Sequence, residues 1–369
     1  MVHTTTKPLP TKLVDDLVVE ILSRVPARSW MRFQCVSKAW LAFTSNVYYR
    51  KKLPATVSGL FYTVGTWNID TSWSTDVKYL SLSADQTVDM TLSFLPRLQN
   101  LDILDSCNGL LLCKSWNARS EGYYYYVCNP AMQKWITLPK PDGSLDTFFL
   151  AFDPQVSHHF HVLHFDDDVK RTGIKLEIFS SKTGEWVRGQ AHWEDSIGYM
   201  LSWPGVFFDG IVHMLSIEDY VLGFDNKGNI CSKIKLPESD SSGNKWLGHS
   251  GGYLNFACKW ENKIEFWILK DYFNNEWVLK HSMDVDTIPH KARSKTVELE
   301  FYLQDSDYFD IVAFHPDLGV VFLQVGDELL AYHLNSARTE ELVSLRREWI
   351  AKFYTYSPCF LDVFGDDGI

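Results

Sequence analysis

The densest concentration of reactive side chains in the chain is a run of histidines, His158, His159, His161 and His164, in the stretch HHFHVLHF. Imidazoles two residues apart on a strand share a face and can chelate a metal, so the alternation is expected to place His159 and His161 together, away from Phe160 and Val162. No cysteine lies near them, and Asp166–Asp168 are expected in the following turn, so metal binding is not the expected role. The seven cysteines (Cys35, Cys107, Cys113, Cys128, Cys231, Cys258 and Cys359) are odd in number and include no C-x-x-C. They suggest neither a disulfide framework nor a zinc site. There is no G-x-x-x-x-G-K-[ST], no G-x-S-x-G and no H-E-x-x-H, and no pattern groups Ser, His and Asp. The sequence therefore predicts no catalytic residue, no metal and no cofactor. The 14 tryptophans could stack on sugars, but their repeated place just after turns makes packing the better explanation.

Composition narrows the partners. Residues 1–52 hold nine basic and three acidic residues, a net +6, while the remainder carries −17 of the overall −11. An acidic body is a poor match for phosphate backbones, and the basic head suits an acidic protein surface. No apolar run is long enough to span a bilayer, MVHTTTKPLP has no apolar signal core, and there is no N-x-[ST] acceptor. The expectation is a cytoplasmic or nuclear protein with no nucleic-acid or membrane partner.

Two regions must position whatever the chain recognises. Residues 9–53 read as three short helices. Leu13, Leu17, Ile21 and Leu22 recur at helical spacing, and Pro26 ends that run. Trp30, Phe33 and Val36 follow at three-residue steps, and Ser37 can cap a third helix that carries Trp40 and Phe43. So small a unit needs a partner to cover its apolar face. The stretch LVDDLVVEILSRVPARSWMRFQCVSKAW resembles the F-box of the large plant family, through Asp16-Leu17, Ile21-Leu22-Ser23-Arg24-Val25-Pro26, Arg32-Phe33, Cys35-Val36-Ser37-Lys38 and Trp40. The family's Leu-Pro is Leu13-Val14 here, with a Leu-Pro one turn earlier at Leu9-Pro10, so the first helix is expected to begin a turn early. The resemblance implies docking on a Skp-family adaptor, and through it a cullin and a RING subunit. The implied adaptor-binding residues are Leu13, Leu17, Ile21, Leu22, Val25, Pro26, Val36 and Trp40.

From residue 58 to 369 the pattern becomes short strands between turns. A strand–turn–strand unit recurs in YYYYVCNPAMQKWITLP, KLEIFSSKTGEWVRG, YVLGFDNKGNICSKIKLP, KIEFWILKDYFNNEWVLKH and LLAYHLNSARTEELVSL. Further strands precede each: GLLLC, HFHVLHF, GIVHMLS, YLNFAC and GVVFLQ, and before several of those LDILDS, FFLAFDP, GVFFD and FDIVAFHP. Four strands per repeat predict propeller blades, five of them between Leu101 and Leu345. GLFYTVG, VKYLSLS and KFYTYSPCFLDVF would form a sixth from both chain ends, closing the ring. Trp135, Trp186 and Trp277 should then be equivalent. SCNGLLLC, YYVCNPAMQKWITLP, LAFDPQ, IFSSKTGEW and YLNFACKWENKIEFWILKDY also resemble the plant F-box-associated domain, implying a kelch-like β-propeller. The expected fold is α+β overall: a three-helix F-box (9–53) followed by an all-β propeller of about six blades (58–369).

Repeat logic places all turns between second and third strands on one face: 114–122, 166–173, 216–219, 259–262 and 325–328. Turns between third and fourth strands (129–133, 180–184 and 225–229) fall on the other. The first set varies more and carries Trp116, Arg119, Lys170, Arg171 and Trp260, expected to be exposed target-binding residues. The expected function is substrate recognition for an SCF-type ubiquitin ligase, with a protein target. The alternatives are an adaptor-bound propeller that does not drive ubiquitination, and a glycan-recognising receptor.

Overall fold

The computed structural model describes Leu17 and residues 57–68, 72–82, 90–96, 99–117, 122–141, 147–167, 174–189, 202–216, 218–237, 243–288, 309–345 and 349–364. The chain divides into two compact units, Met1–Ala55 with Pro154–Val156, and Thr56–Asp153 with Ser157–Ile369. In the first unit Leu17 is helical and about half exposed, at 54%. The remainder of the expected three-helix region lies outside the described residues.

The second unit is an all-β propeller of six sheets. Strands β1 (Gly59–Asn68) and β2 (Ser72–Ser81) open it. Blade 1 is β3 (Gln99–Cys107), β4 (Leu110–Asn117), β5 (Gly122–Asn129) and β6 (Lys134–Leu138). Blade 2 is β7 (Thr147–Ala151), β8 (His161–Asp167), β9 (Ile174–Ser180) and β10 (Glu185–Arg188). Blade 3 is β11 (Ser202–Phe208), β12 (Ile211–Leu215), β13 (Tyr220–Phe224) and β14 (Ile230–Lys235). Blade 4 is β15 (Asn244–Ser250), β16 (Tyr253–Trp260), β17 (Lys263–Asp271) and β18 (Glu276–Asp284). Blade 5 is β19 (Phe309–Phe314), β20 (Val320–Val325), β21 (Glu328–His333) and β22 (Arg338–Ser344). The last strand, β23 (Trp349–Tyr356), pairs with β1 to give a three-stranded sixth blade in the order β2-β1-β23.

Strand alternation explains why the ring holds together. Successive side chains point to opposite faces of a blade, and each face meets a neighbouring blade. Tyr125 and Val127 of β5 pack into the seam with blade 2, while Tyr126 and Cys128 pack into the seam with blade 6. Each of six apolar clusters fills one such seam. Both faces are therefore buried, which is why central strands such as β4 and β12 read as continuous apolar runs rather than alternating ones. The first strand of each four-stranded blade touches its counterpart next door, and β23 takes that inner place in the sixth, meeting both β19 and β3.

Pairing β23 with β1 puts strands from early and late in the propeller into one sheet and so closes the ring. The closure is fixed by specific bonds. The Tyr356 hydroxyl accepts from the Ala131 amide at 3.1 Å, the Tyr354 hydroxyl donates to the Ile103 carbonyl at 2.6 Å, and Ser106 Oγ donates to the Thr355 carbonyl at 2.8 Å. Residues 357–364 then cross the turns of blade 1. Asn129 Nδ2 donates to the Cys359 carbonyl at 2.9 Å, and Lys134 pairs with Asp362 at 2.6 Å. Gly109, at φ +88°, lies where a Cβ would collide with Cys359, so only glycine fits beneath the crossing tail.

The three tryptophans are equivalent, each the second residue of a fourth strand. All three are half-buried rather than enclosed. Trp186 Nε1 donates to the Pro139 carbonyl at 2.8 Å, and Trp277 Nε1 to the Lys235 carbonyl at 2.9 Å. Each indole thus ties its blade to the end of an earlier blade's fourth strand. Trp135 packs on Tyr126 at 5.5 Å between ring centroids, but the blade before it has no described fourth strand to supply a carbonyl. A hydrogen bond contributes about 1 kcal/mol net. Trp186→Phe and Trp277→Phe are therefore expected to destabilise the protein by about 1 kcal/mol more than Trp135→Phe, measured by denaturant unfolding. Equal losses at all three positions would contradict this account of their roles.

Candidate target-docking face

The strand order fixes two faces. Turns between first and second strands and between third and fourth strands share one face, and turns between second and third strands lie on the other. The turns expected to lie together do so by this topology. The chain enters the propeller on the first of these faces: Ser58 N donates to the Tyr356 carbonyl at 2.8 Å, beside the tail that crosses blade 1.

On the opposite face, the end of the β4–β5 hairpin carries an aromatic ledge. Trp116 pairs across the ladder with Tyr123, their rings 4.9 Å apart and edge to face. Lys114 Nζ lies 5.3 Å above the Tyr123 ring. Tyr123 and Tyr124 are exposed, while Tyr125 and Tyr126 of the same run are buried. The expected exposure of Trp116 is corrected here: it lies within β4, half-buried against Tyr123, because the register places that ring beside it. Tyr123 and Tyr124 are the recognition candidates that the sequence reading missed. The four-tyrosine run gave no sign of where burial stops, since that depends on how far the hairpin projects past the seam.

Trp260 ends β16 and is 56% exposed, as expected. Glu261 beside it has φ +50°, which the tight turn to Lys263 requires. Trp116 and Trp260 share a face but belong to blades 1 and 4, across the ring from each other. A single small ligand does not touch both; a protein surface can. Arg119, Lys170 and Arg171 lie outside the described residues, as do Leu13, Ile21, Leu22, Val25, Pro26, Val36 and Trp40 of the adaptor set.

Three described lysines toward this end of the blades are engaged. Lys233 Nζ sits 4.2 Å from the Tyr220 ring centroid, Lys259 Nζ 5.4 Å from that of Phe309, and Lys245 pairs with Asp219. Deeper in, Asp105 on β3 accepts from the Leu150 amide of β7 at 2.7 Å and from Ser106 N at 2.8 Å, linking two inner strands. Burial pushes its carboxyl up to about 7, with these bonds and Lys352 opposing. Burial likewise brings the Lys352 ammonium of β23 down to about 7, against the pull of Asp105 and Asp102. Both groups lie on inner strands, Asp105 on β3 and Lys352 on β23.

The histidine run is dispersed. His158 and His159 precede β8 and are exposed, so His159 does not share a strand face with His161. His164 is fully buried, stacked on Phe148 at 4.3 Å and 3.6 Å from Glu177. Among the described residues no three His, Cys, Asp or Glu side chains come together as a metal would require. No helix among them is long and apolar enough to cross a membrane.

Comparison with known proteins fits this geometry. Residues 60–307 match the F-box associated beta propeller domain, and residues 11–52 match the F-box domain. The chain belongs to the F-box associated propeller family. The matched family is not the kelch one, so the expected kelch-like character is not supported. F-box protein At5g07610 of Arabidopsis thaliana is 24% identical over 82% of this chain and 77% of its own length. F-box protein At5g49610 of the same plant is 25% identical over 90% and 91%, and putative F-box protein At3g10240 is 27% identical over 72% and 70%. An F-box followed by a propeller is the arrangement typical of SCF substrate receptors, and this chain has it.

Proposed function

We propose that this F-box propeller protein is the substrate-recognition subunit of an SCF-type cullin–RING ubiquitin ligase. In this reading the F-box docks on a Skp-family adaptor, which brings the cullin and RING subunits, and the propeller holds a protein target. The observation that carries it is the union in one chain of an F-box with a closed propeller. The chain performs no chemistry. It raises the effective concentration of target lysines at the charged conjugating enzyme and orients them, and positioning of this kind accelerates a bimolecular transfer by many orders of magnitude.

The face opposite the chain's entry is the docking face, because it carries the Trp116–Tyr123 ledge, exposed Tyr124 and exposed Trp260. Aromatic residues with a nearby cation are common anchors of protein interfaces. An anchor of this type contributes about 2 kcal/mol or more, so Trp116→Ala combined with Tyr123→Ala is expected to lower target recovery by about tenfold or more. Arg171→Glu is expected to act in the same direction. Adaptor binding, measured separately, should be unchanged. If recovery persists in these variants and is lost instead on altering the turns at 129–133, 180–184 and 225–229, the docking face is the opposite one. Target half-life separates a ligase receptor from an adaptor-bound propeller that only binds, and a glycan array tests the sugar-binding alternative.

A further inference from the structure

The turns between third and fourth strands follow one plan, and blade 4 departs from it at the tip. In blades 1, 2 and 5 the second residue of that four-residue turn is small or polar: Ala131, Lys182 and Asn335. The five-residue turn of blade 3, Asp225–Asn229, is polar or glycine throughout. In blade 4 the same place holds Phe273, which is 95% exposed. The other exposed large apolar side chains of the described residues lie between 36% and 69%. A single apolar residue on a surface is ordinary. What sets Phe273 apart is how firmly it is held there.

Asp271 closes the turn. Its carboxylate accepts from Phe273 N and Asn274 N, each at 2.9 Å, and from Asn274 Nδ2 at 2.8 Å. Asn275 completes the bend at φ +54°. Tyr272, beside Phe273, is tied to the neighbouring blade. Its hydroxyl lies 2.6 Å from Ser232 Oγ and 3.0 Å from Nε2 of the buried His213, both of blade 3. The Tyr272 and Phe273 rings meet edge to face at 6.2 Å. An apolar side chain presented on so determined a turn loses little freedom on binding.

The surrounding charge describes what fits. Asp271 and Glu276 bracket the turn, with Lys270 the basic residue beside them. Burial pushes the Tyr272 hydroxyl up, its bond to Ser232 opposing, and Asp209 of blade 3 adds to the rise, so a third carboxylate stands near. Carboxylates around an exposed ring disfavour anionic lipid and phosphate backbones. Residues 53–369 carry −17, so a second copy of the propeller is repelled as well. A protein pocket edged by Lys or Arg matches both the ring and its rim.

We propose that the blade 4 turn around Phe273 is a second docking point, taken by a protein that offers an apolar pocket edged by basic residues. It lies on the face where the chain enters, opposite Trp260 and the Trp116–Tyr123 ledge, so this partner and a target can be held at once. The test places p-benzoylphenylalanine at position 273 of the full chain and, as a control, at position 182, and irradiates cells carrying each. Position 273 alone should give a protein conjugate, identified by mass spectrometry. That protein is then purified and titrated against the full chain. Phe273→Ser should weaken binding at least about tenfold. Asp209→Lys combined with Glu276→Lys should also weaken it, and the wild-type complex should loosen as salt rises. Trp116→Ala combined with Tyr123→Ala should leave it unchanged. Melting curves check that all variants stay folded. The absence of a conjugate overturns the proposal, as does a conjugate only to lipid, to nucleic acid, to a second copy or within the chain. So does a purified partner that binds Phe273→Ser as tightly as the wild type, that ignores the charge reversals, or that is lost through the Trp116 and Tyr123 changes. The titration reads binding to this chain alone, so its result is independent of whether the chain serves a ubiquitin ligase.

Discussion

Tyr356→Ala should cost the propeller at least about 4 kcal/mol of stability and leave little soluble protein, because this one side chain joins the first and last strands of the ring. It is fully buried and is among the largest fully buried side chains of the described residues. Its ring meets Phe61 of β1 at 5.1 Å and Tyr79 of β2 at 6.3 Å, and its hydroxyl accepts from Ala131 in blade 1. Truncating a buried aromatic to alanine typically costs about 3–5 kcal/mol through lost transfer energy and the cavity left behind. The orphaned Ala131 N–H adds its own desolvation penalty, about 1–3 kcal/mol. Tyr356→Phe keeps the packing and loses only the acceptor, so its cost should be about 1–2 kcal/mol. Denaturant unfolding of the two variants reads the difference. A Tyr356→Ala protein as stable as the phenylalanine variant would mean that the closing seam does not hold the ring shut.

Ile21→Asp and Trp40→Ala should each abolish adaptor pull-down while the propeller keeps its melting transition. Both positions lie in the matched F-box, residues 11–52, where the ordered pattern from Asp16 through Trp40 implies an adaptor-facing surface. Burying an unpaired carboxylate in an apolar contact costs several kcal/mol. Each 1.4 kcal/mol is a tenfold change in affinity, so a loss of that size removes nearly all complex at working concentrations. The propeller belongs to a separate compact unit, so its unfolding should be unaffected. Undiminished adaptor binding in both variants would remove the basis for the ligase reading.

Most of the propeller was legible because each blade buries both faces. Apolar runs such as GLLLC, GIVHMLS and GVVFLQ correspond to the second strands β4, β12 and β20, and the recurring polar turns mark the hairpins that follow. The sixth blade was also legible, since unpaired strands at both chain ends had to meet for the ring to close. β15 was not. Its sequence, NKWLGHS, carries Gly248 and His249 where a strand pattern calls for branched or aromatic residues. The reason lies in blade 5: a Cβ at Gly248 would collide with the Phe314 ring, a tertiary demand that local pattern cannot show.

The candidate site was legible in outline only. Turn order alone gave the right grouping of loops onto faces. Which aromatics stand clear of the seam depends on cross-strand register, and register moved Trp116 under Tyr123 and left Tyr124 exposed. His159 was misplaced for a related reason. The strand begins only at His161, after the segment in which Ser157 Oγ accepts from the His159 amide.

The central claim, that the propeller holds a target which the F-box delivers for ubiquitination, is tested most directly by proximity labelling with the proteasome blocked. The intact chain is compared with one lacking residues 1–53, and the labelled proteins' half-lives are then measured with the proteasome active. Both chains should label the same neighbours, because the propeller is intact in each. Only the full chain should shorten those neighbours' half-lives and raise their ubiquitin content. Shared neighbours whose half-lives and ubiquitin content are the same with either chain would contradict the account, leaving a binding protein in place of a ligase receptor.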